Sequence, residues 1–404
     1  MNIGGETMYR EEFPILKNGI IYFDSGATAL KPKCVINAIN EYYLNYSVNV
    51  HRGDYNLSLK VDSMYEGARE KVKTFINAPS KKNIVFTAGT TDSINRVVFG
   101  YFANTLKEND EILITKAEHA SNILPWFELA DKLKVKVNYI DLTLDLKVTL
   151  DNVKKAITPN TKVISLASIT NVIGDARPID EIVAFAHQHG IKVVVDAAQS
   201  IVHQKTDVLK SDVDFLAFSV HKMGGPTGVG VLYICDRYLN EIKPLTFGGG
   251  MNASFEENGK RIYDDMPHLL EAGTGNIAGV IGTGAIIDFI NKVGINEIEK
   301  YESDLRKYLI FRLKEIENVE VYNVNSEGAV AAFNYKDIFA QDLAIYLNKY
   351  NICVRAGNHC AKILKNSLGV KNTCRISLAF YNTKEEIDIL IKTLKNPNIM
   401  NELF

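Results

Sequence analysis

The sequence predicts an α/β fold: a mostly parallel sheet covered by helices, followed by a smaller α+β domain. Between about residues 20 and 270, short apolar runs of strand length alternate with helical patterns, which is typical of a parallel sheet buried on both faces. Polar residues follow the ends of these runs. After Gly273 the alternation gives way to a long helical stretch and then to mixed elements.

The strands of the predicted sheet occur in a regular succession. They are residues 83–86, 111–114, 162–166, 192–195, 214–218 and 230–234. Parallel neighbours need a crossover connection, usually a helix, and helical patterns separate most of these strands. The last strand follows its predecessor too closely for such a crossover, so we expect it to be antiparallel.

In the C-terminal part the predicted helices and strands no longer alternate regularly. A helical stretch over 276–317 precedes strands at 319–322 and 329–333, a helix at 340–350, strands at 352–355 and 374–380, and a terminal helix from Lys384. We therefore divide the chain into an N-terminal segment (1–19), a large domain (20–272) and a small C-terminal domain (273–404).

The composition is that of an ordinary globular protein, with 46% hydrophobic residues, 23% charged residues and a net charge of -2. Nothing in this balance indicates a nucleic-acid partner. The five cysteines lack zinc spacing, so we expect no metal site and a reducing compartment. The N-terminus does not read as a signal peptide, and no apolar run approaches the ~18 residues of a membrane helix. We expect a cytoplasmic protein with no membrane partner.

Polar residues cluster at the carboxyl ends of the predicted strands, where open α/β sheets bind ligands. Lys222 closes the run 214–222, and Asp196 follows the strand 192–195. A buried lysine and a buried aspartate suit pyridoxal phosphate (PLP): the lysine forms a Schiff base, and the carboxylate keeps the pyridine nitrogen protonated. Alone, Asp196 could cap a helix and Lys222 could lie on the surface. The other polar residues at this edge are Thr90, Thr91, His119, Asn171, Gln199, Ser219 and His221.

The segment 89–91 is the candidate phosphate loop. Its glycine and two threonines stand at a predicted helix start, where backbone N–H groups, hydroxyls and the helix dipole favour an anion. An ordinary helix N-cap explains the same residues equally well. The glycines of 225–230 are followed by a strand rather than a helix, which argues against a dinucleotide site.

Together these residues resemble the class V aminotransferases, a family of fold-type I PLP enzymes, and within it the group II cysteine desulfurases of the SufS/selenocysteine-lyase type. The resemblance runs from about Ile21 to Asn382. Its motifs are 22–28, 49–53, 89–95, 118–119 with Asn122 and 125–126, 221–223 with 225–228, 271–274 with Asn276, and 355–361. It implies a seven-stranded, mostly parallel sheet in the large domain and a homodimer with shared active sites.

The resemblance also implies residue roles. Lys222 carries PLP covalently, Asp196 pairs with the pyridine nitrogen, Gln199 binds the ring hydroxyl and His119 stacks on the ring. Thr91, Ser219 and His221 bind the phosphate, supported by Thr90. Thr274 reaches the phosphate of the other subunit. Arg375 binds the substrate carboxylate with help from Asn171, and Arg355 lies close to the substrate path.

Cys360 distinguishes a desulfurase from a transaminase, because only the desulfurase needs a thiol here. The resemblance implies that Lys222 and His119 serve catalysis and that the Cys360 thiolate attacks the sulfur of L-cysteine, giving a Cys360 persulfide and alanine. We expect Arg355, His359 and the start of a following helix to favour the thiolate. The sulfur would then pass to an acceptor protein, for example for iron–sulfur cluster assembly. Cys360 could also be one of five unremarkable thiols.

Several positions depart from the family pattern. Ala88 replaces an arginine, Asn358 replaces the first of two histidines, and Ala197 replaces a glycine. None removes a predicted cofactor ligand, but they leave the substrate and acceptor open. The alternatives are a selenocysteine lyase, another class V aminotransferase, or a PLP-binding scaffold without catalysis.

Overall fold

The computed structural model describes residues 9–397 and 399–402, without the side chains of residues 252 and 253. Helices and strands alternate up to the middle of the chain. In chain order they are β1 (Ile21–Tyr22), α1 (Lys33–Glu41), α2 (Asn56–Phe75), β2 (Ile84–Thr87), α3 (Thr90–Gly100), β3 (Glu111–Thr115), α4 (Leu124–Leu133), β4 (Lys136–Ile140), α5 (Leu150–Ala156), β5 (Thr161–Ala167), α6 (Ile179–Gln188), β6 (Lys192–Asp196), α7 (Val208–Ser211), β7 (Phe215–Ser219) and β8 (Gly230–Ile234).

The remaining elements form a hairpin, two long helices and a second sheet. They are β9 (Asn252–Phe255), β10 (Arg261–Tyr263), α8 (Ile277–Val293), α9 (Ile295–Leu313), β11 (Val319–Val321), β12 (Val330–Tyr335), α10 (Ala340–Asn348), β13 (Ile352–Cys353), β14 (Arg355–Gly357), α11 (Leu364–Leu368), β15 (Thr373–Ser377), α12 (Lys384–Leu394) and α13 (Ile399–Glu402).

The central sheet has seven strands in the order β2-β8-β7-β6-β5-β3-β4. β8 is antiparallel to both of its neighbours, and the other pairs are parallel. The predicted α/β class and the antiparallel final strand are therefore confirmed. The strand that the sequence pattern did not reveal is β4, an edge strand whose residues are mostly half-exposed.

The second sheet is antiparallel, in the order β11-β12-β15-β14. β1 pairs in parallel with β13, so the chain just after the N-terminal segment contacts the C-terminal part. This contact brings Asp24 beside β15, where it bridges to Ser377. The segment 21–26 thus contributes to the same side of the molecule as the second sheet.

The hydrophobic core falls into separate clusters that explain this arrangement. The cluster beneath the central sheet includes apolar residues of α8, whereas the cluster of the second sheet takes up residues of α9 from Leu305 onward, with Ile21 and Phe23. The predicted domain boundary between residues 272 and 273 stays a prediction. The apolar residues of α8, which follow that boundary, pack in the core of the central sheet. The predicted helical stretch 276–317 is two helices that meet at Gly294, whose φ of +93° favours glycine.

Among the described residues, no single helix is long and apolar enough to cross a bilayer; α8 and α9 reach that length and hydropathy only as a pair bent by 73°.

Candidate active site

A polar cavity of about 200 Å³ lies at the carboxyl edge of the central sheet. The strand ends and connections of the central sheet line this cavity with Thr90, Thr91, His119, Asn171, Asp196, Ser219, His221 and Lys222. The part of the chain around the second sheet adds Arg355, His359 and Arg375. The structure therefore brings together most of the residues that the sequence singled out. It does so because parallel neighbours deliver their carboxyl ends to one edge.

Lys222 and Asp196 lie at the carboxyl ends of two adjacent parallel strands, β7 and β6. Lys222 lies in the turn Val220–Met223, directly after β7, and burial lowers its pKa to about 8, against the opposing effect of Asp196. Asp196 is the last residue of β6, is buried, and accepts a hydrogen bond from the Ala198 N–H at 2.9 Å. Burial raises the pKa of Asp196, while the Lys222 amine and the Ala198 N–H oppose the rise. The pair is an amine and an acid held close together in a low-dielectric environment.

The start of α3 is bonded to the end of β7. The Thr90 N–H donates to Ser219 Oγ at 2.8 Å, and the two hydroxyls lie 2.7 Å apart. Glycine is required at Gly230, because a Cβ there would lie 2.4 Å from the Gly89 Cα. The loop 89–91 is thus pressed against the sheet, with hydroxyls and the positive end of an eleven-residue helix at the cavity.

His119 caps the turn Ala120–Asn122 and faces the cavity. Its Nδ1 accepts the Ser121 N–H at 3.1 Å, and Ser121 Oγ lies 2.7 Å from Thr91 Oγ1. Burial, with the nearby charge of Lys222, lowers the pKa of His119 to about 4. The imidazole is therefore neutral at physiological pH, with its proton on Nε2.

Two predicted cofactor ligands lie outside the cavity lining. Gln199 is buried and donates from Nε2 to the Gly26 carbonyl at 3.0 Å. Thr274 belongs to a separate depression of about 740 Å³, where Asn49 Nδ2 donates to its Oγ1 at 3.3 Å. The roles assigned to Gln199 and Thr274 stay predictions.

Arg375 lies on β15, almost fully buried. It donates to the Asn171 carbonyl at 3.0 Å and to Asp24 Oδ1 at 2.8 Å. Burial lowers the pKa of Arg375, whereas Asp24 raises it. Asp24 was not among the predicted site residues, although it lies inside the motif 22–28 that carries the resemblance. Its position is set by the contact between β1 and β13, which the sequence pattern does not reveal.

Cys360 stands at the exposed rim of the site. Its Sγ lies 4.0 Å from a guanidinium nitrogen of Arg355, and its carbonyl accepts the Ala120 N–H at 2.7 Å. His359 and Cys360 have φ values of +49° and +59°, a left-handed conformation that costs energy for residues other than glycine. The turn directs the ring of His359 inward, where it is buried, and leaves the thiol in solvent.

The surroundings of Cys360 correct one expectation. Burial and Arg375 lower the pKa of His359 to about 3, so its ring carries no charge and cannot stabilise a thiolate electrostatically. The following helix, α11, begins only at Leu364 and has five residues. Of the three expected supports, the Arg355 guanidinium is the one that the structure brings to the sulfur.

The other four thiols are set apart from Cys360 by burial. Burial is the main cause of a raised pKa in all four. It raises the pKa of Cys235 to about 11 and the pKa of Cys374 to about 12, and it also raises the pKa of Cys34 and of Cys353. These thiols stay protonated at neutral pH. Cys360 is the exposed cysteine of the five.

The residues around the cavity fit the predicted cofactor. Pyridoxal phosphate needs an amine, an acid for its ring nitrogen and donors for its phosphate, and the cavity offers Lys222, Asp196, and the hydroxyls of Ser219 and Thr90 at a helix N-terminus. Asn171 and Arg375 also line the cavity, and Arg375 brings a guanidinium group to it.

Residues 21–390 match the family described as Aminotransferase class-V. The chain belongs to the class V aminotransferase family. It is 43% identical to a probable cysteine desulfurase of Halalkalibacterium halodurans over 95% of both chains, and 37% identical to a cysteine desulfurase of Escherichia coli over 96% of both. The predictions of this family and of its PLP cofactor are confirmed.

Solved structures of desulfurases have the same fold. An apo cysteine desulfurase from Thermococcus onnurineus superposes with a TM-score of 0.92 at 37% identity, covering 96% of each chain. The cysteine desulfurase CsdA of Escherichia coli, in an S-sulfonic acid form, has a TM-score of 0.92 at 36% identity over 100% of each chain. The predicted fold-type I architecture is confirmed.

One further group of potential metal ligands lies away from the cavity. Atoms of His51, Glu66 and His268 lie within 4.8 Å of one another. Glu66 is already paired with Arg69 at 3.2 Å and lies 3.6 Å from Lys81. Because two cations already neutralise this carboxylate, the group is better described as part of an ion-pair network.

Proposed function

We propose that this chain is a PLP-dependent cysteine desulfurase, which converts L-cysteine to L-alanine and holds the released sulfur as a persulfide on Cys360. The observation that carries the proposal is the position of the thiol. Cys360 is exposed beside Arg355 at the rim of a cavity that contains the Lys222–Asp196 pair. An aminotransferase needs the amine and the acid, but it has no use for this thiol.

Several polar residues of the cavity have a part in the proposed reaction. When bound, the cofactor withdraws electrons from the substrate's Cα. Asp196 keeps negative charge next to the ring nitrogen, and Ser219 with the loop 89–91 holds the phosphate. Arg375, whose guanidinium group lines the cavity, binds the substrate carboxylate. Burial keeps His119 neutral, so that its ring can lie against an aromatic cofactor without adding charge.

Lys222 and Cys360 carry out the proton and sulfur transfers. With a pKa of about 8, Lys222 is partly unprotonated near neutral pH and can take the proton from Cα at its Nζ. The Cys360 sulfur forms a bond to the substrate sulfur while the Cβ–S bond breaks. The electrons of that bond stay with the three-carbon skeleton, which takes up one proton at Cβ and regains one at Cα from Lys222, and leaves as alanine. The proton that Cys360 gave up on becoming a thiolate balances the proton gained at Cβ.

The product assay tests this proposal. Purified holoenzyme is incubated with L-cysteine and a reductant, and alanine and sulfide are measured. We expect both in equal amounts, and we expect neither from Cys360→Ala, while Cys374→Ala serves as a control for loss of an unrelated thiol. Desulfuration that persists in Cys360→Ala would refute the role of Cys360. Parallel assays with selenocysteine and cysteine sulfinate test the alternative of a selenocysteine lyase.

We also propose that the enzyme works as a homodimer that shares active-site residues. The exposed apolar side chains Phe247, Phe255 and Ile262 support a subunit interface next to the depression that contains Thr274. Sedimentation analysis of the holoenzyme should give twice the chain mass. A monomer that turns over cysteine at the full rate would contradict this proposal.

A sulfur acceptor and a cytoplasmic location complete the proposal. The persulfide would form on an exposed residue, which supports transfer to an acceptor protein that docks at this rim, for example in iron–sulfur cluster assembly. All five cysteines are free, as in proteins of reducing compartments. A candidate acceptor should increase the rate of alanine formation by the intact enzyme, but not by Cys360→Ala.

A further inference from the structure

The thiol of Cys360 belongs to a tight turn of four residues, 358–361. The Ala361 N–H donates to the Asn358 carbonyl at 2.8 Å and closes this turn. The two central residues, His359 and Cys360, have φ values of +49° and +59°. Two positive φ values in a closed turn are typical of type I′, which glycine, asparagine and aspartate dominate. A histidine and a cysteine adopt it at a cost in energy, so contacts outside the turn must stabilise it.

The carbonyl groups of both central residues accept hydrogen bonds from connections of the central sheet. The Ala120 N–H donates to the Cys360 carbonyl at 2.7 Å, and Asn171 Nδ2 donates to the His359 carbonyl at 2.7 Å. The opposite orientation of the Asn171 amide would place two oxygens in contact, so the donor is Nδ2. Of these two bonds, the one from Asn171 comes from a side chain and can be removed by substitution.

The loop that carries Asn171 is itself held by the C-terminal part of the chain. Arg375 Nη1 donates to the Asn171 carbonyl at 3.0 Å, and Asn323 Nδ2 donates to the Ile173 carbonyl at 2.8 Å. Asn171 is buried. Because its backbone is fixed by these bonds, its side-chain amide is a donor at a fixed position.

The bond from Asn171 reaches the peptide group on which the direction of the thiol depends. The His359 carbonyl belongs to the central peptide of the turn, between His359 and Cys360. Rotation of that peptide converts a type I′ turn into type II′, in which only the first central residue keeps a positive φ. Cys360 would then have a negative φ, and its Cα–Cβ bond would point elsewhere. Asn171 thus favours the conformation in which Sγ lies 4.0 Å from the Arg355 guanidinium.

We propose that Asn171 is a positioning residue for the nucleophile: by holding the central peptide of the turn 358–361, it keeps the Cys360 thiol at the cavity rim for sulfur transfer. This inference rests on the proposed function and deepens it. The family resemblance implies a different task for Asn171, the binding of the substrate carboxylate beside Arg375. A positioning residue affects only the step that uses Cys360, whereas a carboxylate ligand affects the binding of every amino acid.

The kinetics of two variants separate these tasks. Asn171→Asp keeps the shape of the side chain but, when ionised, offers no donor to the His359 carbonyl, and Asn171→Ala removes the group. At about pH 8, both should slow alanine formation at saturating L-cysteine by about fivefold, the value of one hydrogen bond. The inhibition constant of L-2-aminobutyrate, which has the same carboxylate but no sulfur, should stay within about twofold. A tenfold weaker inhibition, on the order of one lost carboxylate contact, would overturn the proposal.

The pH dependence of Asn171→Asp gives a signature that a packing defect lacks. A buried carboxyl group beside a carbonyl oxygen favours its protonated form, so its pKa rises. The protonated acid can donate its O–H to the His359 carbonyl and replace the lost bond. The rate of Asn171→Asp relative to the native enzyme should therefore recover between about pH 8.5 and about pH 6, while that of Asn171→Ala stays constant. The same pH dependence in both variants would contradict the proposed bond.

Asn323→Asp is the matched control, because it alters a second buried amide that holds the same loop but is not bonded to the turn. It should keep alanine formation within about twofold. With ¹³C-labelled cysteine, the Cα signal of Cys360 reports its backbone conformation and should shift in the Asn171 variants only. If Asn171→Asp does not fold, Asn171→Ser replaces it. An unshifted signal in the Asn171 variants, or an equal loss of rate in Asn323→Asp, would overturn the proposal.

Failure of this inference can be told apart from failure of the proposed function. If the native enzyme makes no alanine from L-cysteine, the proposed function is wrong, whatever the Cys360 signal shows. If alanine forms but the Asn171 variants keep the native rate, only the role of Asn171 is wrong.

Discussion

The two ends of the cavity are held in different ways. At the cofactor end, Asp196 ends the buried strand β6, Lys222 lies in the turn that follows β7, and Ser219 is bonded to the start of α3. At the sulfur end, Cys360 lies in a connection between β14 and α11, exposed and in a left-handed conformation. The first end is fixed by the sheet, whereas the second is a strained turn on the surface.

This difference matches two different tasks. The cofactor end must keep a single geometry, which buried strand ends provide at little entropic cost. The sulfur end must accept a sulfur atom and then present it to another molecule, which requires a thiol in solvent. Cys360 is nevertheless tied to the cofactor end, because its carbonyl accepts the N–H of the residue after His119. Because different elements hold the two ends, substitutions should affect one end while sparing the other.

The largest effect is expected at the cofactor end, from Lys222→Ala. The variant loses the amine that holds the cofactor and moves the Cα proton, so turnover should fall by about 10²- to 10⁴-fold, the contribution of a positioned base. The absorbance of the bound cofactor near about 420 nm should disappear. The alkylation rate of Cys360 should not change. A parallel loss of thiol reactivity would show that the two ends are not separable.

Asp196→Asn should have the next largest effect. The amide removes the negative charge from the buried end of β6 but keeps its size, so turnover should fall on the order of 10²-fold, as for other buried electrostatic groups. The cofactor should still be bound, with a shifted absorbance spectrum. Near-normal turnover in this variant would mean that Asp196 is only a helix cap.

Part of this arrangement could be predicted from the sequence. Buried strands such as β6 and β7 are continuous apolar runs, so their ends, and the positions of Asp196 and Lys222, followed from periodicity. β4 was missed because an edge strand that is half in solvent has no such run. The break between α8 and α9 was also missed, although Gly294 is its signal.

The sulfur end could not be predicted by periodicity. Cys360 was identified through family resemblance, since nothing in its composition or spacing distinguishes it from four other thiols. The neutral state of His359 depends on burial and on Arg375, and the contact of Asp24 with Arg375 depends on the pairing of β1 with β13. Such contacts between distant segments appear only in the folded chain.

A smaller effect concerns the pH dependence of cofactor uptake at Lys222. Burial, helped by Arg375 and Arg355, lowers the pKa of this amine to about 8, and only the unprotonated amine can attack an aldehyde. The rate at which the apoenzyme takes up PLP should therefore rise about tenfold between about pH 7 and about pH 9. Stopped-flow absorbance measures this rate. A rate that falls over this range would contradict the assignment.

The smallest effect is expected at the sulfur end, from Arg355→Gln. A unit charge 4.0 Å from the sulfur stabilises a thiolate by about 1 kcal/mol in a water-like environment. The rate of Cys360 alkylation should fall about fivefold, with the cofactor spectrum unchanged. Arg355→Lys retains the positive charge and should lose less. An equal loss in both variants would indicate a packing effect instead.

In the proposed reaction, sulfur from the substrate reaches Cys360 and no other thiol. Mass spectrometry of the alkylated, digested protein tests it after the holoenzyme has reacted with L-cysteine without a reductant. The alkylated peptide with Cys360 should become one sulfur atom heavier, and reduction followed by a second alkylation should return it to its original alkylated mass. The alkylated peptides with the other four cysteines should stay unchanged. Alanine formation without a heavier Cys360 peptide would contradict the proposed reaction.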